Sequence, residues 1–239
     1  MESNENRLEQ YEGLIQEILF VRHGATGYKE QFDKGFDGGH DLKEIGVKQA
    51  EEAALHVDDF LNKEKSVKIF TSPRARTKNT AEIIKGKLEE SNPSAVIKIS
   101  GAESLINTKT QGDAVDVWLA LMADYAETGA DMNKEYYSGE LNEKHGDVIE
   151  SPVEQSDRVK ESFTKMLRII RKREEVGKDN ENIILVGHNE TLNLLLQNYG
   201  KKLSENDFRI ISTGEVAHMQ IYPEHVVIKY GEQEYQLDM

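Results

Sequence analysis

Two short stretches hold histidine beside residues that handle phosphate. Arg22-His23-Gly24 closes the apolar run at 17–22, and Gly187-His188-Asn189 closes the run IILVG at 183–187. A third run, ending at Phe70, leads into Thr71-Ser72-Pro73-Arg74-Ala75-Arg76. A neutral imidazole can attack phosphorus directly and split one hard displacement into two easier ones. Arginine suits the charge that spreads over phosphoryl oxygens, because its fork bonds two of them and stays ionised. A glycine such as Gly24 lets backbone come close to a phosphate. Singly, each piece has an ordinary meaning: a surface turn, a satisfied buried histidine, a solvated arginine face. At three strand ends together they read as a site for a phosphate monoester.

The elements that must position these residues follow from the apolar spacing. Residues 17–22, 67–70, 95–99 and 183–187 read as strands. Leu42 begins a helical pattern through Ala50, Ala53, Ala54, Val57 and Leu61. Ser72 then Pro73 reads as a hydroxyl N-cap and a proline at the first helical position, opening a helix to about Glu90. Residues 112–127 read as a helix with Val115, Trp118, Leu119 and Met122 on one side. Residues 128–150 read as irregular, and Val159, Phe163, Met166, Leu167 and Ile170 mark the inner face of a long helix. Leu192, Leu195, Leu196 and Tyr199 mark another helix, and two strands, 216–222 and 225–230, finish the chain. Alternating strands and helices predict a three-layer α/β/α sandwich on a mostly parallel sheet. Such sheets place ligands beyond the carboxyl ends of their strands. One domain over 1–239 is expected, with a cap insertion at about 105–149 and a loose polar arm at 1–14.

Composition narrows the partners. Thirty basic against 44 acidic residues give a net charge of −14, a field that repels nucleic acid and anionic membranes. There are no cysteines, which excludes disulfides, thiolate nucleophiles and Cys-ligated metals. The polar start and the absence of any 18-residue apolar stretch make a cytoplasmic location the expectation. No metal and no cofactor are expected. The nearest ligand-like cluster, His40 with Asp37 and Asp41, reads as a surface loop.

The motifs resemble those of the histidine phosphatase superfamily, which has the phosphoglycerate-mutase-like fold. LFVRHGAT at 19–26 is similar to its Arg-His-Gly-x-Thr motif, and LKEIGVKQA at 42–50 to its helix start. SPRARTKNTA at 72–81, Glu150-Ser151 leading to Arg158, and LVGH at 185–188 follow in the family's order. The resemblance implies a metal-independent phosphomonoester hydrolase working through a phosphohistidine intermediate on a small phosphorylated substrate. It implies His23 as nucleophile, Arg22 and Arg76 holding the phosphoryl group with Gly24, His188 hydrogen-bonding it, and Thr26 bracing the loop. A phosphoglycerate-type mutase and a non-catalytic phospho-ligand or protein-binding module are the alternatives. This chain departs from the pattern at Lys29, Thr77 and Asn189-Glu190.

The general acid is open. A Leu-x-Glu is common in the mutase-like branch, but Leu105-Ile106-Asn107 stands in its place. Glu103 is one candidate. Glu190, in a His-x-Glu form resembling the acid-phosphatase branch, is the other. Glu143 falls too late in the chain order. Substrate selection is expected from Tyr28, Phe32, Lys34 and Phe36 in the loop 27–41 and from Trp118, Tyr125, Tyr136 and Tyr137 in the insertion.

Overall fold

A computed structural model describes residues 13–27, 41–106, 132–145, 149–178, 181–203 and 209–239. Strands β1 (Gln16–Arg22), β2 (Val67–Thr71), β3 (Ile97–Gly101) and β4 (Asn182–Gly187) form one half of an eight-stranded sheet. Strands β5 (Gly200–Lys202), β6 (Val216–Ile221), β7 (His225–Tyr230) and β8 (Gln233–Asp238) form the other. The order is β3-β2-β4-β1-β6-β7-β8-β5. Pairing is parallel from β3 to β1 and antiparallel from β1 through to β5. The expected mostly parallel sheet is therefore parallel in one half only. Strands β6, β7 and β8 follow one another through tight turns, and such turns join antiparallel neighbours. The last strand, β8, alternates buried and half-exposed residues (QEYQLD). It has too few apolar residues to show in the sequence.

Both faces of the parallel half are covered. Helices α1 (Glu44–Phe60) and α2 (Ala75–Ser91) pack Ala53, Ala54, Val57, Ala81, Ile84 and Leu88 against Leu19, Val21, Ile69, Ile184 and Val186. The opposite face buries Ile18, Phe20 and Leu185. It lies under α5 (Pro152–Glu175) and α6 (Asn189–Tyr199), through Val159, Phe163, Leu167, Leu192 and Leu195. Successive residues of β1 thus feed two cores, which is why its sequence is an unbroken apolar run. Residues 128–150, expected as irregular, contain two short helices, α3 (Met132–Ser138) and α4 (Glu140–His145). They are six or seven residues long, too short for a periodic pattern to show. The arm at 1–12 and the helix expected at 112–127 lie outside the described residues.

Two Ser-Pro dipeptides behave differently. Ser151-Pro152 opens α5 as a full capping box: Ser151 Oγ accepts from Glu154 N, and the Glu154 carboxylate accepts from Ser151 N. Ser72-Pro73 does not cap a helix. Helix α2 begins at Ala75, with Arg74 at the N-cap and no side-chain cap. The Ser72 hydroxyl is engaged by a histidine instead.

The turn after β1 is pressed against the start of α1. A Cβ built on Gly24 would sit 2.2 Å from the Gly46 carbonyl oxygen, and one on Gly46 would sit 2.1 Å from that of Ala25. Backbone packed on backbone has nowhere to move. Gly24 is thus required by this contact, a different reason from the phosphate approach expected of it. Gly24→Ala or Gly46→Ala is expected to cost about 1–3 kcal/mol of stability. Thermal unfolding followed by circular dichroism checks this, and an unchanged Tm contradicts it.

Candidate active site

Strands β2, β4 and β1 are neighbours, and their register sets the site. Arg22 pairs with Gly187 and Thr71 with Val186, so His23, His188 and Ser72 each stand one residue beyond a matched row. His23 N donates to Gly187 O, and Ser72 N to Val186 O, which carries the ladder one step further.

His23 is buried, and its Nδ1 lies 2.8 Å from the Gly24 carbonyl oxygen. A carbonyl only accepts, so Nδ1 carries the proton and the lone pair is on Nε2. That lone pair accepts from Arg76 Nε at 3.2 Å. Burial, then the Arg76 charge, push the His23 pKa from 6.5 down to about 3; the Gly24 carbonyl opposes the shift and Arg22 adds to it. The imidazole is neutral at any ordinary pH.

His188 is fully buried, with Nδ1 3.2 Å from Arg76 Nη2 and Nε2 2.9 Å from Ser72 Oγ. Since Arg76 can only donate, Nδ1 accepts and Nε2–H donates to Ser72. Burial, then Arg76, hold its pKa well below the usual range. The two rings lie 5.1 Å apart at 66°. Arg76 is 4% exposed and spans both histidines. Thr80 ties this group to the His23 loop: its hydroxyl donates to Arg76 O at 2.8 Å and accepts from Gly24 N at 3.2 Å.

Arg22 is aimed from the far side. Its Nη1 donates to Ile211 O at 2.6 Å, its N to Glu215 O, and its carbonyl accepts from Gly214 N. The segment 209–215 is built around Glu215, whose carboxylate accepts from Ser212 N and forms a fork with Arg209. Arg209 in turn lies over the Tyr230 ring. Thr26 forms an antiparallel bridge with Leu42, and Gln49 Oε1 accepts from Ala25 N at 2.8 Å.

The glutamates are not gathered into this cluster. Glu190 is half-buried in the first turn of α6, two residues past His188. Glu103 is exposed in a 3₁₀ turn, Glu103–Leu105, just after edge strand β3. Glu143 is exposed on α4. Glu150 pairs with Arg158 at 2.7 Å, and Arg158 also donates to Ser104 O and Ile106 O. This half-buried pair joins the two ends of the segment expected to be the insertion.

Tyr136, expected to select substrate, is buried and donates to Gln155 Oε1 at 2.7 Å. That is a packing role. The side chains of Tyr28, Lys29, Phe32, Lys34, Phe36, Asp37, His40, Trp118, Tyr125 and Tyr137 lie outside the described residues. Asp41 accepts from Asn79, and among the described residues no group of three His or carboxylate side chains is placed to hold a metal. Ser72, Thr80, Gln49 and Glu215 were not singled out by chemistry in the sequence. Ser72 had a signal in its place at a strand end beside the arginines, and Gln49 and Thr80 in lying within the motifs at 42–50 and 72–81.

A buried neutral histidine costs stability in acid. The folded pKa of His23 is below its unfolded value of 6.5. The unfolded chain therefore takes up the extra proton first, and stability is lost as pH falls from 6.5 towards 3. At pH 5 this amounts to about 2 kcal/mol. Urea unfolding at pH 7 and pH 5 should show a drop larger by about that amount in the wild type than in His23→Gln. Equal drops contradict a neutral buried imidazole.

Comparison with known proteins gives the chain's family and fold. The model of the histidine phosphatase superfamily, branch 1, matches residues 18–232. No curated protein matches in sequence. The alpha-ribazole phosphatase from Shigella flexneri shares 18% identity, with 91% of this chain and 96% of that chain covered and a TM-score of 0.57. The mycobacterial glucosyl-3-phosphoglycerate phosphatase shares 18%, with 91% and 97% covered and a TM-score of 0.56. The phosphoserine phosphatase from Entamoeba histolytica shares 17%, with 90% and 96% covered and a TM-score of 0.54. At such identities these neighbours speak for the α/β fold. Among the described residues no helix is long and apolar enough to cross a membrane. The chain belongs to branch 1 of the histidine phosphatase superfamily, and is by that membership a histidine-type phosphatase.

Proposed function

We propose that the chain hydrolyses a small phosphate monoester without a metal, with His23 as nucleophile. The observation that carries this is the Nε2 lone pair of a neutral, tautomer-fixed His23, held 3.2 Å from a buried arginine. A phosphoryl group entering the site takes over the Arg76 donors, which frees both imidazoles. Arg22, Arg76 and His188 then hold its oxygens. The Ser72 hydroxyl both donates and accepts, so it can support the His188 tautomer that offers Nδ1–H to phosphate. Nε2 bonds to phosphorus as the ester P–O bond breaks, and a carboxylic acid gives its proton to the leaving oxygen. Water next attacks phosphorus, the P–N bond breaks, and the carboxylate takes a proton from that water. The neighbours named above act on small phosphorylated compounds by their names, which supports a substrate of that class.

Glu190 is the better placed acid, because it shares the turn of His188 and is half-buried where Glu103 is exposed. The test measures phosphate release from an alkyl phosphate and from p-nitrophenyl phosphate, with and without a chelator. His23→Ala should abolish turnover of both, and the chelator should change neither. Glu190→Gln should slow the alkyl ester about 10²–10⁴-fold, and the aryl ester much less, since nitrophenolate leaves without a proton. Equal slowing of both esters assigns Glu190 to positioning. The same contrast found in Glu103→Gln moves the acid there.

A further inference from the structure

A second histidine pair lies at the other end of β1. His56 on α1 and His218 on β6 face each other, with their Nε2 atoms 2.8 Å apart. His218 Nδ1 lies 2.7 Å from Glu17 Oε1. The ring of Phe60 stacks on His56, with centroids 5.0 Å apart, and meets His218 edge-on at 4.2 Å. Glu17 is on β1 and His218 pairs with Leu19, so the pair is level with β1 residues four to six before His23. None of these side chains belongs to the phosphate site.

We propose that His56 and His218 form a zinc-binding site, separate from catalysis, with Glu17 holding His218 in the ligating tautomer. A carboxylate only accepts, so the proton of neutral His218 is on Nδ1 and its Nε2 lone pair points outward. A metal-ligating histidine commonly donates its other N–H to a carboxylate, which fixes the ring and raises its basicity. In the metal-free protein His56 Nε2–H donates to that lone pair. On binding, this proton moves through solvent to His56 Nδ1, and both Nε2 atoms face the ion.

The spacing suits a tetrahedral ion. Zinc at about 2.0–2.1 Å from each nitrogen sets them about 3.3 Å apart, with ring centroids about 5 Å apart. The observed centroid separation is 5.1 Å, so the rings need to tilt rather than travel. His56 is exposed and free to tilt, while Phe60 keeps its ring over the site. Asp59, one turn on, adds a negative charge that acts on His56 and favours a cation. The remaining positions on the ion go to water, because no third ligating side chain joins the pair among the described residues. Imidazole nitrogen selects zinc over magnesium, which prefers oxygen.

Isothermal titration calorimetry with zinc chloride, and with magnesium chloride as control, tests the site. The wild type should bind zinc saturably with one equivalent tied to this pair, and should not bind magnesium there. His56→Gln and His218→Gln should each remove that equivalent, and Glu17→Gln should weaken it about 10- to 100-fold. Far-UV circular dichroism should show all three variants folded, as expected for side chains at the surface. No saturable zinc binding, or binding unchanged in His218→Gln, overturns the proposal. Zinc held at His23 and His188 instead would give that second result.

Discussion

A guanidinium 4% exposed to water lies between two imidazoles, and neither can take up a second proton while it stays there. This one contact orders the rest. Added to burial, it keeps both histidines neutral, and it needs each to have another partner on its far nitrogen. Gly24 O supplies one and Ser72 Oγ the other. Burying a charge is expensive unless its donors are met. Arg76 meets that cost partly through the lone pairs of two histidines. The local positive charge also answers the field of a chain whose net charge is −14. A phosphate repelled at long range finds cationic donors at close range, and salt screens the first effect more than the second.

The sheet explains why the arginines arrive from different directions. Strand β1 is the seam between a parallel half and an antiparallel half. On its parallel side, β4 and β2 bring His188 and the approach to Arg76 level with His23. On its antiparallel side, the segment leading into β6 places the Ile211 carbonyl against Arg22. The His23 loop is in turn held by α1 through Gln49 and the Gly24–Gly46 contact, and by α2 through Thr80. Arg22, His23 and His188 are therefore each held by an element other than their own.

The sequence shows the parallel half well because buried strands are apolar on both faces, as LFV and IILV are. It hides β5 and β8, since GKK and QEYQLD have no apolar run. The residue types at three strand ends point to the phosphate chemistry, and the register then explains how they meet. Ser72 misled because Ser-Pro is a helix-start signal, and the same dipeptide at Ser151 is one. Its hydroxyl is taken by His188, a partner 116 residues away that no local rule can name. The Ile211 carbonyl is backbone and leaves no trace in residue type. Glu190 and Glu103 differ in burial, which residue type does not show, and that difference is what favours Glu190.

The central claim is a covalent phosphate on His23 Nε2. Rapid-quench mixing of excess enzyme with a ³²P-labelled phosphate monoester, followed by peptide mapping, measures it. The account predicts an acid-labile, base-stable label on the peptide containing His23. The label should form no more slowly than turnover, and should be absent in His23→Ala. Single-turnover hydrolysis at full rate with no such label, or with the label on another residue, contradicts it.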